Sequence, residues 1–138
     1  MLSDQDLLAP LRRLAKVSQA KLAKVACFIT KNGVIVSSGI NYNPSGGPME
    51  ELVDGKLVSR PENIHAEVAA LQAAATNHVS VEGATMLLTM SPCLSCANEI
   101  ARTGVCEVGY LYEWWDKAGL DVLRAKGINV KQLRRNND

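Results

Sequence analysis

The sequence contains few cysteines and has no large excess of either acidic or basic residues. Four cysteines in 138 residues are fewer than a secreted, disulfide-stabilised scaffold usually carries. Acidic and basic side chains nearly balance at a formal net charge of +1, which leaves no broad basic field for binding duplex nucleic acid. We therefore expect a protein of a reducing compartment that does not bind nucleic acid.

Targeting and membrane-spanning patterns are also lacking. No apolar run is long enough to span a bilayer, and the first residues do not show the basic-then-apolar pattern of a signal peptide. What is present is a hydrophobic content of 47% in a chain of one-domain length, enough to bury a continuous core. We expect a single domain over residues 1–138, located in the cytoplasm and not bound to a membrane.

The hydrophobic patterns predict an α/β fold. A helical pattern begins after Ser3, which is placed to cap it, and Pro10 either kinks this helix or marks its start. After this helix, strand patterns and helix patterns alternate along the chain, which implies one sheet with helices on its faces. The predicted strands are 25–30, 34–38, 85–90, 107–112 and 128–133, and the predicted helices are 61–76, 92–103 and 120–125.

A long segment and a pair of short motifs interrupt these patterns. Residues 39–60 are rich in Gly, Pro, Asn and Ser, and we expect a long functional loop there. Residues 65–67 read His-Ala-Glu, and residues 92–96 read Pro-Cys-Leu-Ser-Cys. One His and two Cys make three bonds to zinc and leave the fourth tetrahedral position open, as a catalytic zinc requires. The pattern H-x-E followed by P-C-x-x-C is typical of zinc-dependent nucleobase deaminases.

The residue types in the two motifs suit this chemistry. Both motifs fall at predicted helix N-termini, where free N–H groups and the helix dipole favour the thiolate form of Cys93 and Cys96. Glu67 lies two residues from His65, close enough to reach a water on the metal without acting as a ligand. We expect Glu67 to take a proton from that water, to pass it to the ring nitrogen of an aminopyrimidine, and then to protonate the departing amine.

The same residue types also allow plainer interpretations. A structural four-cysteine zinc site would need Cys27 and Cys106, which are predicted to be free thiols in or beside strands. His78 is predicted to be a surface residue at a helix end. Residues 114–115, both Trp, suit a core position and a base-stacking wall equally well. Residues 50–51, both Glu, are predicted to be a solvated loop pair.

Beyond the metal motif, the sequence resembles the deoxycytidylate (dCMP) deaminases of the cytidine deaminase superfamily from about residue 25 to residue 133. The segment Gly-Ile-Asn-Tyr-Asn-Pro-Ser-Gly-Gly at 39–47 is similar to the family's G-Y-N-G-x-P-x-G loop, with Ile40 and Tyr42 in place of the usual Tyr and Gly. Residues 82–85, 89–93 and 100–105 follow the family pattern. The resemblance implies a three-layer α/β/α fold around a mixed five-stranded sheet.

The resemblance also assigns roles to residues. It implies that His65, Cys93 and Cys96 bind a catalytic Zn²⁺ and that Glu67 moves the protons. The reaction implied is hydrolysis of dCMP to dUMP and ammonia, which supplies dUMP for thymidylate synthesis. The residues implied to contact the substrate are Asn41 near the deoxyribose, the Ala66 N–H at the pyrimidine O2, the Ser91 carbonyl at the departing amine, and Trp114.

Members of this family are commonly regulated. The resemblance implies a homo-oligomer, often a hexamer, that is activated by dCTP and inhibited by dTTP, with Mg²⁺ on the triphosphate. The residues implied for the regulatory site are Asn41, Tyr42, Asn43, Gly46 and Glu50.

Other functions remain open from the sequence alone. The metal motif also suits deaminases of cytidine, guanine or tRNA adenosine, and a non-catalytic zinc-binding module would carry the same ligands. Three cations are available for a phosphate, and surface solvation is the expected state of each: Arg60, Arg102 and Lys117.

Overall fold

The computed structural model describes residues 2–134, which form a five-stranded sheet with helices on both faces and a separate two-stranded sheet. The large sheet has the order β2-β1-β5-β6-β7, and the small one pairs β3 with β4. The helices are α1 (Leu8–Ala15), α2 (Ala66–Thr76), α3 (Leu94–Ala101) and α4 (Ala118–Ala125). The strands are β1 (Ala26–Lys31), β2 (Val34–Ile40), β3 (Glu50–Val53), β4 (Lys56–Ser59), β5 (Thr85–Met90), β6 (Glu107–Tyr112) and β7 (Asn129–Gln132).

The sheet separates two cores, because successive side chains of a strand point to opposite faces. In β1, Cys27 and Ile29 join the larger core with α2, α3 and α4, while Ala26 and Phe28 join the smaller core with α1. The sheet is mixed: β1 is antiparallel to β2 and to β5, whereas β5, β6 and β7 are parallel. The predicted three-layer fold with a mixed five-stranded sheet is confirmed.

Strand directions bring three chain segments to one edge of the sheet. The carboxyl end of β5 lies beside the amino end of β1, and the Ala26 N–H donates to Thr89 Oγ1 over 3.0 Å. The carboxyl end of β2 reaches the same edge through its pairing with β1. In open α/β sheets, ligands bind outside the carboxyl ends of the strands, so this edge is the expected place for a site.

Three helix starts differ from the prediction. Helix α2 begins at Ala66 rather than Pro61, α3 begins at Leu94 rather than Pro92, and α4 begins at Ala118 rather than Leu120. His65 and Cys93 are the N-cap residues, with extended ψ angles of 155° and 171°. An N-cap residue is not itself helical, so the first potential ligand of each motif lies one residue before its helix.

The N-terminal prediction is corrected too. The Asp6 N–H donates to Ser3 Oγ over 3.1 Å, so Ser3 caps the turn before α1 and not the helix itself. Helix α1 starts at Leu8, and Pro10 lies in its first turn, where no intrahelical N–H partner is required. Pro10 therefore marks the start of the helix.

The expected long loop at 39–60 is only partly a loop. Strand β2 continues to Ile40, and β3 and β4 form a hairpin around Asp54 and Gly55, whose φ angles are 51° and 78°. An Asp-Gly pair is a strong hairpin signal because both central residues of a type I′ turn need positive φ. The prediction of a loop throughout residues 39–60 was wrong at this hairpin.

Close backbone packing joins β2 to the start of α2. A Cβ added at Gly39 would lie 2.5 Å from the Ala66 carbonyl oxygen and 2.5 Å from the Ala70 nitrogen. Contacts below 3.0 Å with backbone cannot be relieved by a side-chain rotation, so the helix would have to move. We expect Gly39→Ala to lower the free energy of unfolding by about 1–3 kcal/mol, measured by chemical denaturation.

Gly47→Ala is the matched control for this prediction. The nearest atom to a Cβ at Gly47 is the Ser45 side-chain oxygen at 3.3 Å, and this side chain can rotate away. Equal denaturation midpoints for Gly39→Ala and Gly47→Ala would contradict the close approach of α2 to β2.

A candidate metal centre and its cavity

Three potential metal ligands converge between the N-termini of α2 and α3. The donor atoms of His65, Cys93 and Cys96 all lie within 4.8 Å of one another. His65 Nδ1 is 3.1 Å from Cys96 Sγ and 3.7 Å from Cys93 Sγ. A tetrahedral zinc site separates such nitrogen and sulfur atoms by roughly 3.6 Å. The donor set and its spacing therefore fit zinc, with Nδ1 as the histidine ligand.

A cavity of about 400 Å³ opens beside this cluster at the carboxyl edge of the sheet. His65 and Cys93 line it, and so does Glu67, which is the second residue of α2 and is only 4% exposed. With three protein donors, zinc keeps one position open, and this position can face the cavity and its carboxylate. The arrangement is that of a catalytic rather than a structural metal site.

Sequence comparison agrees with this geometry. Residues 1–112 match the family described as the cytidine and deoxycytidylate deaminase zinc-binding region. The chain belongs to this family. It is a zinc-dependent deaminase, a hydrolase of nucleotide metabolism, and its cluster of His65, Cys93 and Cys96 is consistent with the family's catalytic zinc.

Similar proteins include several from bacteriophages. The chain is 31% identical to the deoxycytidylate deaminases of Enterobacteria phages T2 and T4, over 78% and 83% of this chain and 79% and 81% of theirs. The crystal structure of dCMP deaminase from the cyanophage S-TIM5 in complex with dCMP and dUMP is also similar, at 35% identity and a TM-score of 0.83. That alignment covers 91% of this chain and 92% of the cyanophage chain.

Without metal, the pKa values of the two thiols are shifted in opposite directions. Hydrogen bonds from Cys96 and from His65 lower the pKa of Cys93 to about 4, so its sulfur is a thiolate at neutral pH. The same hydrogen bond to Cys93 and burial raise the pKa of Cys96. The hydrogen bond to Cys93 also raises the pKa of His65. Because zinc binds the deprotonated forms, it must displace the proton held within this cluster.

Burial governs the protonation of Glu67. Loss of solvent raises the pKa of its carboxyl group to about 7, against opposing effects of its own backbone N–H and of His65. A group with this pKa can accept and release protons near neutral pH, as a general acid–base catalyst must.

The raised pKa predicts how pH changes the stability of the metal-free protein. Between pH 4.5 and 7 the unfolded chain releases the Glu67 proton while the folded protein retains it, so the folded state loses stability as pH rises. The loss approaches about 3 kcal/mol above pH 7. The measurement is the unfolding free energy of metal-free wild type minus that of metal-free Glu67→Gln, followed as a function of pH. The Gln variant lacks this titration. A pH-independent difference would contradict a raised pKa.

The structure brings all four residues predicted to contact substrate to the cavity wall: Asn41, Ala66, Ser91 and Trp114. Asn41 also stabilises the fold. Its Oδ1 accepts a hydrogen bond from the Val25 N–H over 3.0 Å, and its Nδ2 donates to the Ala23 carbonyl over 2.7 Å. Ser91 Oγ accepts from the Trp114 N–H over 2.7 Å and so positions the indole-bearing segment.

The residues implied for a regulatory site are dispersed. Tyr42 and Asn43 line a second, smaller cavity with Asn41, while Glu50 lines the first cavity and Gly46 lines neither. Asn43 is buried and stabilises its own loop, accepting from the Ser45 N–H and donating to the Pro48 carbonyl.

The prediction that Glu50 and Glu51 form a solvated pair was wrong for Glu50. Its side chain is buried in β3, and its Oε2 accepts from the N–H groups of Lys21 and Leu22 at 2.8 and 3.2 Å. These bonds close the segment before β1 over the cavity, a long-range contact that local sequence does not reveal.

Other predicted residues fall away from the metal centre. Cys27 is buried as expected, whereas Cys106 is exposed and donates to the Gly83 carbonyl. Within residues 2–134, neither belongs to a cluster of three potential ligands, so the four-cysteine alternative is rejected. His78 is exposed just after α2, as predicted. Trp114 lies at the cavity wall, and Trp115 is 80% exposed.

Two cavity residues precede His65: Arg60, which was expected to be solvated at the surface, and Asn63, which the sequence analysis missed. Arg60 and Asn63 both line the cavity, and each has a buried polar atom without a hydrogen-bond partner in the described structure.

No helix among the described residues has the length and apolar character needed to traverse a bilayer.

Proposed function

We propose that this protein hydrolyses dCMP to dUMP and ammonia, and so supplies dUMP for thymidylate synthesis. The proposal rests mainly on one observation: buried Glu67 lines a cavity of about 400 Å³ together with two members of the metal cluster, His65 and Cys93. The choice of dCMP is supported by the phage relatives, which are deoxycytidylate deaminases, and by the similar cyanophage enzyme with dCMP and dUMP bound.

In this proposal, His65 Nδ1 and the sulfurs of Cys93 and Cys96 hold a zinc ion. The metal supplies a Lewis acid that lets water act as a nucleophile near neutral pH. A Glu67 carboxylate oxygen accepts the proton of the attacking water and returns it to the ring nitrogen beside the reacting carbon. The same carboxyl group then helps to protonate the leaving amine, so one residue acts in turn as base and acid.

Neighbouring residues hold the base during these steps. The Ala66 N–H is the first of α2 and has no partner within the helix, which suits it to bind the pyrimidine O2. The Ser91 carbonyl would accept from the departing amine, Trp114 would form one side of the base pocket, and Asn41 would lie near the deoxyribose. All four line the cavity.

Ammonia release from a panel of substrates tests the proposed function. The panel is dCMP, deoxycytidine, CMP, guanine and adenosine, each assayed with zinc-loaded protein. We expect dCMP to give the highest kcat/KM. Preference for an unphosphorylated nucleoside or a free base would reject dCMP as the substrate.

Regulation by dCTP and dTTP, magnesium on those effectors, and a hexameric assembly stay predictions from the family resemblance. In the described residues, the zinc cluster is the one group of three or more potential metal ligands, so magnesium would be held mainly by the nucleotide. A dCMP saturation curve that does not change on adding dCTP or dTTP would contradict the regulation.

A further inference from the structure

The charges around the cavity are unevenly distributed. Among the residues described as lining it, Arg60 is the one Lys or Arg side chain, and the acidic lining residues are Glu50 and Glu67. The sequence analysis named two further cations for a phosphate, and neither lines the cavity: Arg102 is paired with Glu99, and Lys117 is paired with Glu113. A phosphate group that enters the cavity therefore has a single cationic side chain on the wall to bind it.

The Arg60 guanidinium has unused hydrogen-bonding capacity. Its Nη1 is 3.9 Å from a Glu51 oxygen and 3.6 Å from a Glu62 oxygen, longer than the roughly 2.7–2.9 Å of a charge-assisted hydrogen bond. Its Nε is buried without a partner in the described structure, and the side chain as a whole is 32% exposed. Two carboxylates thus hold the guanidinium by charge and leave donors available.

The backbone around Arg60 is fixed at the cavity wall. The Arg60 N–H donates to the Met49 carbonyl over 2.9 Å, and the Asn63 N–H donates to the Arg60 carbonyl over 3.2 Å. This turn comes directly before His65, which belongs to the metal cluster. Arg60 can be at most about 17 Å from His65 along the chain, and both residues line the same cavity.

Asn63 offers the complementary group. Its Nδ2 donates to the Met49 carbonyl over 2.7 Å, which fixes the orientation of the amide, and its Oδ1 is buried without a donor among the described residues. A buried acceptor left without a partner is unfavourable, and a sugar hydroxyl is a donor that satisfies it.

We propose that Arg60 and Asn63 form the sugar–phosphate end of the substrate site. The Arg60 guanidinium binds the phosphate, and Asn63 Oδ1 accepts a hydrogen bond from a hydroxyl of the sugar. The proposal rests on the proposed function, because it takes the substrate to be a nucleoside monophosphate. It makes Arg60 the residue that selects a nucleotide over a nucleoside, while the metal cluster and Glu67 act on the base.

The test compares dCMP with deoxycytidine in wild type and in Arg60→Gln. Loss of charge-assisted hydrogen bonds to phosphate should reduce the ratio of the two kcat/KM values by about 10- to 100-fold, mainly through a higher KM for dCMP. Arg60→Lys keeps a point charge without the planar fork, and it should retain part of the preference. The control Arg102→Gln removes a surface cation and should keep the wild-type ratio.

The outcomes separate this inference from the proposed function. A wild type that does not prefer dCMP over deoxycytidine overturns both. A wild type that prefers dCMP, together with an Arg60→Gln variant that keeps the preference, overturns the role of Arg60 alone. If Arg60→Gln does not fold, Arg60→Lys decides, and a full wild-type ratio and KM in that variant overturn the guanidinium contact.

Asn63 is tested by pairing a substrate change with a variant. Wild type should prefer dCMP over 2′,3′-dideoxycytidine monophosphate by about tenfold, because the dideoxy analogue leaves Asn63 Oδ1 without a donor. Asn63→Ala should lose this preference, since the acceptor is absent with either substrate. Equal preference in wild type and Asn63→Ala would overturn the hydrogen bond to the sugar.

Discussion

Glu67→Gln is expected to bind zinc as tightly as wild type and to release ammonia about 10⁴-fold more slowly, at the upper end of what one acid–base group contributes. Gln has nearly the same shape as Glu, and Glu67 is not among the three clustered donors, so the metal centre should persist. The carboxylate, however, is proposed to move every proton of the reaction. Zinc content is measured by atomic absorption and turnover by ammonia release.

Glu99→Gln is the matched control for this variant. It makes the same change on the exposed side of α3, where Glu99 pairs with Arg102. Wild-type activity is expected in Glu99→Gln. Substantial turnover by Glu67→Gln would contradict the proton-transfer role and would favour a binding module in which the metal serves structure alone.

The second large effect is expected at the metal. Cys96→Ser should lose zinc and activity together, because Cys96 Sγ is buried and lies 3.1 Å from His65 Nδ1. Loss of a direct ligand should weaken zinc binding by more than the roughly 10- to 100-fold that follows loss of an outer partner of a ligand. The measurements are zinc competition against a chromophoric chelator and thermal unfolding with and without added zinc.

Cys106→Ser provides the control, because Cys106 is exposed and its thiol bonds to the Gly83 carbonyl and not to a member of the metal cluster. This variant should keep the zinc affinity and activity of wild type. If Cys96→Ser kept its zinc while Cys106→Ser lost it, the three-donor centre would be wrong.

The metal centre is predictable from sequence because its chemistry is local. His65 and Glu67 are two residues apart and Cys93 and Cys96 are three apart, so each pair needs only one helix start to place it. The sheet is predictable for a similar reason, because β1 and β5 are short, mostly apolar segments that are buried except at their ends. The helix starts were misplaced by a few residues because N-cap positions have extended backbone angles that composition does not reveal.

The outer wall of the cavity could not be predicted in the same way. Glu50 reaches Lys21 and Leu22 across 28 to 29 residues, and Arg60 and Asn63 are placed by bonds to Met49. Such contacts depend on how the 39–60 segment folds back, and its Gly- and Pro-rich composition predicted a loop instead. The Asp54-Gly55 pair was the local signal that could have indicated the hairpin.

The hairpin β3–β4 pairs with itself and takes no part in the five-stranded sheet. Its base holds Met49 and Glu50 at the cavity, whereas its tip at Asp54 and Gly55 is exposed. We therefore expect changes confined to the exposed tip to leave the large sheet and the metal cluster as they are. Changes at the base act on the cavity wall instead, because Met49 and Glu50 bond to Arg60, Asn63, Lys21 and Leu22.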